Sequence, residues 1–302
     1  MWLELELFGF RALWSPYFFI FVLLLSALYF YITGPGRHRF TDAARPSAAQ
    51  QLMFYLGMVL LYIIKGSPVD LLAHIMFTAH MTQMALYYLL FPILIIRGIP
   101  VWVWKKVVVA PVLRPIVKLL TRPLISLVLF NGLFSLYHIP TIFDYAKSSE
   151  MAHTIITTVI LFLAFCMWWS IFTPIKEYDR LSPLVKIGFI FANGVLITPA
   201  CGLIIFAGSP LYATYSEAGA WIQALSLCVP GDVLSGLSST LSGPEFFTPI
   251  PLIEDQQLGG IIMKITQEII FASVIAYIFF GWFNKERNVI DPLPADALHE
   301  SH

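Results

Sequence analysis

The feature that most limits what this chain can fold into is a succession of seven apolar runs, at about 16–32, 50–64, 71–96, 124–138, 151–172, 184–206 and 258–283. A hydrocarbon core about 30 Å thick takes roughly 20 helical residues to cross, and a backbone in lipid must satisfy its polar groups within the segment. The chain therefore reads as all-α, a single seven-helix membrane domain over residues 1–302 with one long connection at 207–257. Composition agrees, because 58% of the residues are hydrophobic and only 12% charged, about half the charged share of a soluble domain. The fourth run is short and holds Asn131, expected to hydrogen-bond a neighbouring helix. The acidic start, with no basic cluster and no A-x-A-like site after the first run, predicts a retained helix rather than a cleaved leader.

Seven crossings put the termini on opposite sides, and the cations choose between the two orientations. Placing Arg11, Lys65, Lys147 and Lys264 on one face leaves 14 of the 18 Lys and Arg residues on the other. The positive-inside rule then predicts an outer N-terminus, a cytoplasmic C-terminus and an outer 207–257 connection, in a multi-pass protein of a bacterial plasma membrane. The stretch from Arg97 to Arg122 is too basic to cross. Its interleaved Val and Trp residues fit an anionic leaflet, so the lipid bilayer, and no nucleic acid, is the expected partner of that basicity.

The third run is unusual. Met76, His80 and Met84 are spaced by four and would share one helical face, with Gln83 beside them. Unpaired polar groups are costly in lipid, and imidazole with thioether suits copper. The plainer reading is a polar contact between helices with methionine as filler. The orientation gathers further groups on the outer side: His74 and His80 in the third run, His138 ending the fourth, His153 opening the fifth, and Asp144 between those two. Asp255 and Met263 of the seventh run approach the same end, where Gly259 and Gly260 allow close helix approach. His80, His138 and His153, with His74 and Met84, form the candidate metal donors of a site open to the outer compartment. Gln83, Asp144, Asp255 and Met263 surround them. A hydrogen-bonded polar network and a haem b with axial histidines remain as alternatives. His38, His299 and His302 fall on the other face or in the tail.

Three cysteines without a C-x-x-C pair argue against a thiolate site. Cys166 and Cys201 read as core residues, and Cys228 lies in a loop. Lys264 and Glu268, four apart, are placed to pair. Serine hydrolase, P-loop and Rossmann patterns are absent, so no enzymatic turnover is expected. No internal repeat supports a transporter. A copper permease would need polar groups through the full depth, whereas the inner halves of these runs are apolar.

Four signatures occur in order: Ala79-His80-Met81-Thr82-Gln83-Met84 with Phe91-Pro92 and Gly98-Ile99-Pro100; His138-Ile139-Pro140 with Asp144; His153 with Trp168-Trp169 and Pro174; and Asp255-Gln256-Gln257-Leu258-Gly259-Gly260 with Met263. Together they resemble the CtaG family of Gram-positive bacteria, membrane assembly factors for caa-type cytochrome c oxidase. The resemblance implies the oxidase subunits as partners and a role in providing copper for the oxidase copper centre. It also implies a second histidine four residues after His80. This chain has Met84 there, a softer donor that favours Cu(I).

Overall fold

The structure, a computed structural model, describes residues 5–40, 43–111, 113–237 and 243–290. These residues are helical without strands. The predicted positions of His299 and His302 lie outside them. The helices are α1 (Gly9–Trp14), α2 (Pro16–Thr33), α3 (Ala48–Gly66), α4 (Pro68–Ile75), α5 (Phe77–Ala85), α6 (Phe91–Gly98), α7 (Val101–Val109), α8 (Leu113–Leu120), α9 (Pro123–Tyr137), α10 (Pro140–Ser148), α11 (Glu150–Phe172), α12 (Pro183–Ile205), α13 (Ala213–Ser216), α14 (Ala218–Leu225), α15 (Gly231–Leu237) and α16 (Leu252–Ile290). Six helical segments are long and apolar enough to cross a membrane, and seven if α8 and α9, bent by 82°, are one span. Their flanks expose large apolar side chains such as Leu124 and Phe191, at 75% and 70%. Such surface is tolerable in lipid and not in water. The chain is a multi-pass membrane protein.

The third run departs most from expectation. It is not one helix from 71 to 96 but α4, α5, a π turn at Leu86–Leu90 and α6. Met76 is extended, with φ −124° and ψ 134°, which ends α4 and restarts the chain as α5. Met76 therefore leaves the face that spacing by four would give it. It packs with Leu71 and Ile75 against Trp221, while Met84 joins the main core. The π turn also has a physical cause. Pro92 has no N–H to donate to the Tyr88 carbonyl, and the Trp168 indole donates to that oxygen instead, at 3.1 Å. Trp168 in the fifth run thus completes a proline-made gap in the third.

Polar contacts inside the bundle pin helices pairwise. Asn131 donates to the Asn193 side-chain oxygen at 2.7 Å, joining α9 to α12 as expected for an asparagine in lipid. Lys264 pairs with Glu268 at 2.7 Å and also donates to Thr198 and Gln267, each at 3.0 Å. Close approach at Gly98 joins α6 to α3. A Cβ there would lie 2.6 Å from the Phe54 backbone nitrogen and 2.7 Å from its Cα. Gly98→Ala should therefore force the helices apart and lower stability by about 1–3 kcal/mol. Gly132, which faces open space, should accept alanine with a small gain. Thermal unfolding in detergent separates the two variants.

The described residues of the 207–257 connection are folded onto the bundle. α13 and α14 pack over α10 and α4, and Tyr215 donates to the Ala73 carbonyl at 2.7 Å. The N-terminal segment closes under the same cap, with Phe8 stacked on Phe247 at 5.4 Å and Leu5, Leu13, Trp221 and Leu225 in one apolar cluster. The N-terminal segment and the long connection thus share one side of the bundle.

Candidate functional site

The candidate site forms where three helix ends meet under that cap. The break at Met76 frees the first backbone N–H groups of α5 in a buried place. Asp255, from the far end of the sequence, accepts from Phe77 N at 2.6 Å and Thr78 N at 3.2 Å, and the Thr78 hydroxyl donates to the Asp255 carbonyl at 2.8 Å. A carboxylate on free N–H groups at a helix N-terminus gains from both the hydrogen bonds and the dipole. The neighbouring signature residues hold α16 to the end of α12 and to the connection after it: Gln256 donates to the Ile204 carbonyl at 3.3 Å and accepts from Leu211 N at 2.7 Å, and Gln257 donates to the Ala207 carbonyl at 3.1 Å. A Cβ at Gly259 would sit 2.8 Å from the Phe77 ring, and one at Gly260 2.7 Å from Ile205. The last-helix signature is thus the clamp that sets the height of α5, and with it His80.

His80 is fully buried at 0% exposure. Its ring lies 5.1 Å from Phe143, 5.8 Å from Phe77, 6.2 Å from Tyr137, 6.3 Å from His138 and 6.5 Å from Tyr215. Among the described residues neither of its ring nitrogens has a hydrogen-bond partner. His138, just past the end of α9, has Nδ1 bonded to the Phe134 carbonyl at 2.7 Å, its own carbonyl held by the Tyr212 hydroxyl at 2.9 Å, and Nε2 unpartnered. His74 is held likewise, with Nδ1 on the Asp70 carbonyl at 2.9 Å and Nε2 unpartnered. The half-buried His153 of α11 lies 5.9 Å from His74, ring to ring, with its Nδ1 buried and unpartnered.

The four histidines therefore meet as two pairs, His80 with His138 and His74 with His153. Among the described residues no three His, Cys, Asp or Glu side chains are grouped closely enough to hold a metal ion. Nor do the pairs open freely outward. His74, His80 and His138 are 3%, 0% and 1% exposed beneath the cap, because Tyr212 and Tyr215 fill the mouth that the sequence leaves open.

The surrounding residues have prior commitments. The Asp144 carboxylate accepts from Ala213 N at 3.1 Å, Thr214 N at 3.0 Å and the Thr214 hydroxyl at 2.7 Å, so it anchors the cap. Gln83 donates to Asp70 at 2.7 Å and to the Ile64 carbonyl, bracing α5 against α3. Met84 and Met263 are sealed in the core at 3% and 0% exposure. Cys166 and Cys201 are buried. Cys228 donates to the Leu225 carbonyl at 3.5 Å, and burial pushes its thiol up, so it stays protonated.

Two charged groups enter that the spacing of residues does not reveal. Asp70 bonds Lys65 at 3.1 Å and Gln83 through the same oxygen. Lys147 is 1% exposed, lies 5.9 Å from the centre of the Phe143 ring and has no carboxylate partner among the described residues. Burial, reinforced by the Lys65 ammonium, brings its amine down to about 7. In sequence Lys147 is one more cation of a short connection, with nothing to mark it as buried.

Residues 27–285 match the family described as cytochrome c oxidase caa3 assembly factor, Caa3_CtaG. No curated protein and no solved structure matches the chain. With the family covering all four signatures and the bundle that positions them, the chain belongs to the caa3 cytochrome c oxidase assembly factors.

Proposed function

We propose that this assembly factor acts without turnover of its own, takes Cu(I) as cargo at the His80–His138 pair and provides it for the copper centre of caa3 oxidase. The observation that carries this reading is the five imidazole nitrogens buried without partners, on His74, His80, His138 and His153. A buried polar atom left unpaired costs about 1–3 kcal/mol, so a folded core keeps such a set only if something else gains from it. Two imidazoles sharing one ion at about 2.0 Å per nitrogen would hold their ring centres roughly 5–6.5 Å apart, and the observed pairs stand at 6.3 Å and 5.9 Å. Cu(I) accepts low coordination numbers and soft donors, which suits a pair of imidazoles with Met84 one turn along α5.

His74 and His153, the latter the least buried of the four, suit an entrance to the inner pair. The 14-to-4 distribution of cations supports an outward placement of this end in a bacterial plasma membrane. Haem is the weaker alternative. Phe77, Tyr137, Phe143 and Tyr215 crowd His80 at 5.1–6.5 Å, and a macrocycle would have to displace them. A reddish preparation with a Soret band would favour haem over copper.

Deleting the gene should leave the oxidase polypeptides synthesised and inserted while oxidase activity falls, with the loss deepest in copper-limited cells. Unchanged activity in both copper-replete and copper-limited cells would reject the assembly role for this chain.

A further inference from the structure

A second feature lies at the opposite, basic end of the bundle and is independent of the histidines. The ends of α6, α11, α12 and α16 enclose a cleft of about 540 Å³, within the range of small-ligand sites, about 300–1,000 Å³. Three cations line it, Arg97, Lys186 and Lys285, against the single carboxylate of Glu286. Lys186 already pairs with Asp179 at 2.8 Å. Arg97 and Lys285 have no ion-pair partner among the described residues. Arg97 is instead fixed by aromatic groups. Its guanidinium sits 4.5 Å from the Tyr277 ring centre and 5.5 Å from that of Phe172, and it donates to the Tyr277 hydroxyl at 3.1 Å. Rings hold a guanidinium in place without neutralising it, so its charge stays available.

The rest of the lining has a second character. Phe172 and Ile278 give the cleft an apolar wall, and Trp282 and Tyr277 also line it, the side chains favoured at a membrane–water boundary. A free anion needs the cations only. A group with an anionic head and long apolar tails uses both halves. The geometry points to this cleft as a binding site for one anionic phospholipid, its phosphate against Arg97 and Lys285 and its acyl chains along Phe172 and Ile278. Further cations stand on α7 and α8, where Lys105, Lys106, Arg114 and Lys118 accompany exposed Val107, Leu113 and Ile116. The cleft differs from them in being concave and partly walled by aromatic rings.

Native mass spectrometry of the full chain in neutral detergent, titrated with phosphatidylglycerol or phosphatidylcholine, tests this. The parent should bind one phosphatidylglycerol in preference to phosphatidylcholine. A cation near a phospholipid surface contributes about 1 kcal/mol, so removing each should weaken phosphatidylglycerol binding roughly fivefold. Lys285→Ala, at an exposed position, is the variant least able to disturb folding, and Arg97→Ala with Lys285→Ala should compound the loss. Phosphatidylcholine binding should not change. Equal binding of the two lipids by the parent, unchanged preference in the double variant, or displacement of the lipid by millimolar inorganic phosphate would each overturn the assignment.

Discussion

His80→Ala should abolish metal retention and oxidase maturation while the protein accumulates in the membrane at its normal level. The two halves of this result have separate causes. Loss of function follows because His80 is the member of the inner pair with both ring nitrogens unpartnered, so its removal leaves His138 Nε2 without the second imidazole that an ion would share. Normal abundance follows from the energetics of the same fact. Truncating a buried ring loses packing, about 2–4 kcal/mol by analogy with other large-to-small changes. It also removes two orphaned nitrogens that each cost about 1–3 kcal/mol. The terms are of similar size and opposite sign. Immunoblotting of membranes beside oxidase assays and metal analysis reads all three quantities. Met84→Leu should give only a partial loss, and His38→Ala, on the basic face, none.

Asp255→Ala should fail in the opposite way, by loss of the protein itself. Two backbone N–H groups at the start of α5 would lose a charged acceptor in a buried site. Hydrogen bonds to charged groups contribute about 1.5–3 kcal/mol each, and neither N–H has an intrahelical carbonyl to turn to because Met76 ends the preceding helix. The expected loss is about 3–6 kcal/mol on these figures, enough to lower the unfolding midpoint markedly and deplete the protein from the membrane. Asp255→Asn keeps one acceptor oxygen and should fall between parent and alanine variant. Thermal unfolding in detergent gives the order, and equal stability of all three would show that the cap contributes nothing.

The contrast between these residues shows where the sequence was informative. Helical spans could be read because lipid leaves the backbone few choices, and the limits of α2, α11 and α12 fall within two residues of the apolar runs. The break at Met76 could not, because Met76 has no special backbone preference and α5 is completed by a carboxylate 178 positions away. The same distance hid what Asp255 does, since a carboxylate near histidines reads equally well as a metal neighbour or as a cap. Asp144 repeats the lesson, its oxygens being taken by Ala213 and Thr214 of the cap. Clustering of the histidines was legible through the alternation of spans, whereas their division into two pairs depends on helix rotation after that break. Lys147 was invisible for a related reason. Its burial comes from α13 and α14 folding over a connection whose own composition looks solvent-facing.

Copper bound by imidazole at the inner pair is tested most directly by X-ray absorption at the copper edge of protein loaded with Cu(I) under anaerobic conditions. The expected result is stoichiometric copper with nitrogen scatterers at about 2.0 Å and the multiple-scattering pattern of imidazole, lost in the His80→Ala protein. Copper that washes off the parent, or an absorption spectrum with sulfur scatterers alone that is unchanged by His80→Ala, would contradict it.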